Sequence, residues 1–244
     1  QLGSNKSIGP IATRLNEFLM PKPISHMLAQ PENRLDFGSI MDTGKIFLAK
    51  LSKGLVGDKD SHLLGTLLVS KFQQLAMARQ SQDASARRNF TLVIDEFSDF
   101  ITPTMAQILT GTRKYRFGLV LGHQELRQLQ RNEEVASAVL SSPLTRISFR
   151  IGDDDARKLS DGFPHFEARD LQNLGRGEAI MRVERSDFDF NIAVPSLDEP
   201  SDAETVERRE AVIAASRAKY SRPRTEIEAA LRQMIASEPT IEKP

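Results

Sequence analysis

The stretch F-T-L-V-I-D-E-F-S-D-F-I-T-P-T-M-A-Q-I-L-T-G-T-R-K-Y-R-F-G-L-V-L-G-H-Q, running from Phe90 to Gln124, fixes the fold class. Residues 91–94 are a short run, β-branched at Thr91, Val93 and Ile94, as suits a strand buried on both faces. The run stops at Asp95 and Glu96. Pro103 then opens a helical segment reaching about Lys114, Gly118 breaks the pattern, and 119–121 is a second apolar run ending in Gly122, His123 and Gln124. Strand, helix, strand in that order predicts two parallel strands. Their carboxyl ends deliver polar groups to one edge, where open α/β sheets bind ligands.

An apolar strand ending in Asp-Glu is the Walker B arrangement of nucleotide hydrolases. There Asp95 holds Mg²⁺, through water, and Glu96 orients the water that attacks the γ-phosphate of ATP. Gln124, one strand over, is in reach of that water or of the γ-phosphate. Arg113 stands near the far end of the intervening helix, and at 1.5 Å per residue roughly 15 Å of helix carries it away from Asp95. It is badly placed for its own site and better placed for a neighbour's, as an arginine finger supplied in trans. That geometry asks for a ring or stack of subunits.

D-E-F-S-D-F, followed by G-T-R-K-Y and L-G-H-Q-E-L-R-Q-L, resembles the HerA/FtsK superfamily of RecA-like motors, and within it the conjugative coupling proteins of type IV secretion (the TraG/TraD group). The resemblance extends to residues 35–54, 62–71 and 147–156 and covers most of 10–195. It implies an α/β, RecA-like, mostly parallel sheet flanked by helices, with a terminal antiparallel hairpin and a helical C-terminal tail. It also implies a homo-oligomeric ring, a hexamer, through whose pore double- or single-stranded DNA is driven by ATP hydrolysis at subunit interfaces. Relaxase and secretion-channel proteins are the further partners implied. The location implied is cytoplasmic, with a full-length parent attached to the inner membrane. The family places its ATP-binding half and an inserted helical region upstream, so the chain reads as the C-terminal part of a motor domain.

No G-x-x-x-x-G-K-[ST] occurs in the sequence. The nearest approach, Gly38 to Gly44-Lys45-Ile46, has one residue too many between the glycines and no hydroxyl after the lysine. Gly44-Lys45 reads instead as a turn into a strand at 46–51. The Walker A half of the ATP site is therefore missing from these residues, and a catalytically incomplete protein-interaction module is the competing reading. A HerA-like DNA-repair translocase is another.

Composition narrows the rest. Lys plus Arg and Asp plus Glu number 33 each in 244 residues, so no bulk charge attracts nucleic acid, and any DNA contact needs local patches. There is no cysteine, hence no disulfide, thiolate site or thiol nucleophile. No apolar run approaches a membrane span. The four histidines, His26, His62, His123 and His165, form no zinc-binding pair. Asp95 and Glu96 as a glycosidase pair are disfavoured, since adjacent strand residues point to opposite faces.

Outward from the central stretch, three segments are expected: 1–34 as an N-terminal helix and linker, 35–196 as the motor part, and 197–244 as a charged helical tail. Residues 60–80 read as a long amphipathic helix. Arg79, Arg87 and Arg88 near the following linker read as solvated surface, with DNA contact the alternative. Residues 145–149 are expected as a third core strand, which would set Arg150 on the edge of Asp95 and Gln124. There it is a candidate nucleotide contact, the alternative being an ion pair with Asp153, Asp154 or Asp155. Residues 166–174 read as loop, and 178–185 with 188–194 as the hairpin. In the tail, Ile227, Leu231 and Ile235 form a stripe able to dock on a surface the sequence does not specify.

Overall fold

The computed structural model describes residues 8–30, 32–185 and 187–236. The polar segments 1–7 and 237–244 lie outside the described residues, as does the side chain of Ile235 in the tail stripe. Helices α1 (Ile8–Leu19), α2 (Lys22–Leu28), α3 (Phe37–Asp42), α4 (Lys53–Val56) and the long α5 (Asp58–Ala78) precede strand β1 (Phe90–Ile94). Then come α6 (Pro103–Gly111), β2 (Phe117–Leu121), α7 (Glu133–Ser141), β3 (Thr145–Ser148), α8 (Asp153–Ser160) and α9 (Ala168–Gln172). The hairpin strands β4 (Glu178–Val183) and β5 (Asp189–Ala193) follow, and α10 (Asp202–Tyr220) and α11 (Arg224–Ala236) close the order.

The strand–helix–strand unit is present as expected. β1 and β2 are parallel, in register from Phe90 opposite Phe117 to Ile94 opposite Leu121. Pro103 occupies the first turn of α6, where its missing N–H removes no helical bond. β4 and β5 form the antiparallel hairpin, with Ile180 opposite Asn191. Two expectations are corrected. The third strand does not extend the parallel sheet: β3 pairs antiparallel with β4, Ile147 opposite Met181, and makes a separate three-stranded sheet. Residues 46–51 form no strand. They keep the alternation of one, with Phe47 turned against the Phe37 and Phe72 rings and Ile46 and Leu48 exposed, but no strand among the described residues pairs with them.

The described residues divide into two units. One lies within 37–48 and 62–199. Its rings run in contact from Phe37 and Phe47 to Phe72, then to Phe90 and Phe117, with centroids 5.3–5.8 Å apart. Each such pair adds about 0.5–1.5 kcal/mol beyond the area it buries, and together they tie α3 and α5 to the amino ends of β1 and β2. A second cluster, Ala156, Phe163, Leu171, Leu174 and Ile180, packs α8 and α9 on β4. Leu171 is also why 166–174 is not all loop. It anchors α9, whose first turn is held by reciprocal bonds between Glu167 and Asp170.

Gly44 ends α3 in the left-handed region, φ 70°, with the Arg88 guanidinium lying where a Cβ would stand. Gly44-Lys45 is thus a helix-ending turn. The arginine cluster is corrected too. Arg79 is 2% exposed and bonded on all sides, so it is neither solvated nor available to DNA.

The other unit has its described residues within 8–36, 49–61 and 200–236, so segments far apart in sequence fall together. α11 docks on α2: Ile227 is 4% exposed, Ile24 is fully buried, and His26 Nε2 lies 3.6 Å from Glu228 Oε1. Arg34 Nη1 donates to Ser221 O at 3.4 Å, and Arg222 pairs with Glu32 at 3.3 Å. α10 is capped by Ser201 and Glu204 and buries none of its residues.

Candidate active site

β1 leaves the sheet at Asp95. The parallel ladder runs one step further than the strands themselves: Gly122 N–H donates to Ile94 O at 2.9 Å, and Phe97 N–H to Gly122 O at 3.0 Å. Phe97 is fully buried, which pulls the chain inward immediately after two acids. Glu96 absorbs the bend by taking φ 49°, ψ 44°, in the left-handed region. For a residue other than glycine this costs on the order of 1 kcal/mol or more, and it persists only where the surroundings enforce it.

The bend leaves the Asp95 side chain exposed, its Oδ1 accepting the Glu96 N–H at 3.0 Å. Gly122 makes room for it, since a Cβ at that position would stand 3.2 Å from Asp95 Oδ1. Glu96 Oε1 accepts a hydrogen bond from Gln124 Nε2. Asp95, Glu96 and Gln124 therefore meet at the carboxyl edge of β1 and β2, with Asp95 and Gln124 open to solvent. His123, between Gly122 and Gln124, sets its ring edge-on to Phe97 at 5.4 Å, and its buried Nδ1 has no hydrogen-bond partner among the described residues. The role of Gly122 carries no sequence signal beyond the glycine itself, because it depends on the register of the two strands.

The strand-end loop is stiffened beyond Gln124. Glu125 and Gln128 form a capping box over the 3₁₀ segment Leu126–Arg131, and Leu126 N–H donates to Asp155 Oδ2 at 3.0 Å. That bond brings the acidic first turn of α8 against the loop. Arg150 precedes this turn. It is exposed and has no side-chain partner among the described residues: no ion pair joins it to Asp153, Asp154 or Asp155, and Asp154 pairs with Arg157 instead. Because β3 belongs to the second sheet, Arg150 is not delivered by a neighbouring parallel strand.

Arg113 lies at the opposite end. It is exposed, in the 3₁₀ turn Arg113–Tyr115 that enters β2. The four steps along the strand's five residues, at about 3.3 Å each, span roughly 13 Å between that turn's end of the strand and the Asp95 edge.

No family model matches the chain, and no curated protein matches it. Solved structures do. The conjugative coupling protein TrwB, in its trigonal form in complex with sulphate, aligns with a TM-score of 0.57 at 14% identity, over 79% of this chain and 50% of that one. TrwB in complex with the non-hydrolysable ATP analogue ADPNP gives 0.56 at 16% identity, over 81% and 52%. VirB4 of Thermoanaerobacter pseudethanolicus gives 0.46 at 20% identity, over 60% and 40%. The likeness is one of fold: the chain is similar to the α/β, RecA-like fold of these TrwB structures and spans about half their length.

Proposed function

We propose that this chain is part of an ATP-driven DNA-translocating motor of conjugation or type IV secretion, hydrolysing ATP at the interfaces of a homo-oligomeric ring, a hexamer. The observation that carries it is the convergence of Asp95, Glu96 and Gln124 on one solvent-open strand edge, with Arg113 at the other end of the same strands. Asp95 suits Mg²⁺, a hard cation that takes one or two carboxylates and completes its shell with phosphates and water. Among the described residues no group of three or more potential ligands gathers, so the remaining ligands would come from the nucleotide and solvent. When bound, the ion neutralises charge on the β- and γ-phosphates of ATP.

Glu96 is the residue that accepts a hydrogen bond from the attacking water and orients it. In this state its carboxylate is occupied by the Gln124 amide. A γ-phosphate oxygen would compete for that same N–H, which makes Gln124 the group that registers the phosphate and frees Glu96. Arg150 is the proposed further contact to nucleotide, from the loop that opens α8. Arg113 acts on the site of the adjacent subunit, stabilising charge on the transferred phosphoryl group. DNA in the pore and further copies of the chain are the principal partners, with relaxase and channel proteins beyond them.

The test is Glu96→Gln in a polypeptide that joins this sequence to a phosphate-binding loop. Turnover is expected to fall at least about 10²-fold, the scale of a lost positioned base, with nucleotide affinity unchanged. Steady-state hydrolysis at the original rate would reject the assignment.

A further inference from the structure

We propose that Arg79 is the positioning residue for Arg113: a buried guanidinium that fixes the turn from which the arginine finger is presented. The inference rests on the trans role given to Arg113 above. Its basis is the one arginine among the described residues of this unit that is almost wholly buried. Arg79 follows α5 and is 2% exposed. Its Nε and Nη2 donate to Asp42 Oδ1 at 3.1 and 2.7 Å, and its Nη1 donates to the carbonyl oxygens of Arg88 and Tyr115 at 3.0 and 3.1 Å. One planar fork thus joins the end of α3, the linker before β1 and the turn before β2. Gln82 Nε2 holds the second carboxylate oxygen of Asp42 at 3.1 Å, so the acceptor is itself fixed.

The Tyr115 carbonyl lies two residues beyond Arg113, within the same 3₁₀ turn. That turn is closed by Tyr115 N–H to Thr112 O at 2.9 Å and Arg116 N–H to Arg113 O at 3.0 Å. A second arginine braces it: Arg87 Nη1 donates to Lys114 O at 2.8 Å and its guanidinium lies over the Tyr115 ring. Arg113 itself has no side-chain partner among the described residues and is exposed. The turn is therefore held through its backbone at Lys114 and Tyr115, while the side chain of Arg113 is left to solvent. A group that must reach across an interface needs this combination, because a misplacement of about 1 Å in a positioned group costs on the order of 10²-fold in rate. Lysine cannot replace the fork, since one ammonium cannot span Asp42 and both carbonyls as a planar guanidinium does.

The experiment uses subunit mixing in the full polypeptide, with purified variants combined in equal amounts before assembly. Arg113→Ala mixed with Glu96→Gln is the control: the first keeps an intact Glu96 and the second an intact Arg113, so about a quarter of interfaces become competent and turnover returns. No return in this control overturns the trans role itself, and the proposal with it. Given a working control, Arg79→Lys mixed with Glu96→Gln should also regain turnover, because its own site receives Arg113 from the partner. Arg79→Lys mixed with Arg113→Ala should stay inactive, because neither supplies a presented finger. Asp42→Asn, which keeps the side-chain volume and loosens Arg79, should show the same asymmetry in weaker form. Turnover regained with both partners, or with neither, overturns the proposal. The second outcome marks Arg79 as a residue of general stability only.

Discussion

His165 and Asp189 form a pair whose charge state is tied to the fold of the segment between α8 and α9. His165 Nδ1 lies 2.5 Å from Asp189 Oδ1, and its backbone N–H donates to Asp189 Oδ2 at 3.1 Å. The hydrogen bond to Asp189, and then the charge of that carboxylate, raise the pKa of the imidazole. Burial works to raise that of Asp189, but the hydrogen bonds from the His165 ring and N–H outweigh it and hold the carboxyl below its ordinary range. The histidine's contribution is therefore complete below about pH 6.5 and is lost as pH rises through its raised value. That of the aspartate is present above about pH 4 and is lost as pH falls through its lowered value. His165→Gln should accordingly reduce the melting temperature most between about pH 4 and 6.5, with the gap to wild type closing at higher pH. A gap that does not change with pH would show that the pair does not titrate with folding.

At the scale of elements, α5 and the turn after β1 are fitted to one another at a single glycine. A Cβ on Gly65 would stand 2.2 Å from the Phe100 ring, and Phe100 is 8% exposed. Helix propensity favours alanine over glycine by about 1 kcal/mol, whereas displacing a packed ring costs roughly 1–3 kcal/mol. Gly65→Ala should therefore destabilise by up to about 2 kcal/mol net, read from chemical denaturation, and a stabilised variant would refute the fit. The element pattern itself was legible where it was local. The period and punctuation of 90–124 state a parallel strand–helix–strand unit. The α9 helix was not legible, because five residues carry too little periodicity and Leu171 is helical through what it packs against.

At the scale of the molecule, residues 8–36 and 200–236 fall in one unit although most of the chain lies between them. Ile227 closes that arrangement against α2. Ile227→Ala removes a buried side chain and should cost about 2–5 kcal/mol in this unit. Limited proteolysis should then release α11 at concentrations of protease that leave the wild type intact. Equal protection of both proteins would place the docking energy elsewhere in α11.

What the residues settle without any coordinates is the bottom of this hierarchy. Two short apolar runs around one proline-initiated helix bring Asp95, Glu96 and Gln124 to one edge, because a single helical crossover starts the second strand at the same end as the first. Tertiary structure decided the rest. The segment 145–149, which reads as a third core strand, pairs with the hairpin instead, since a strand carries no mark of its partner. Arg79 and Arg87 look alike along the chain. One is a buried strut and the other a surface brace, because burial depends on what arrives through space.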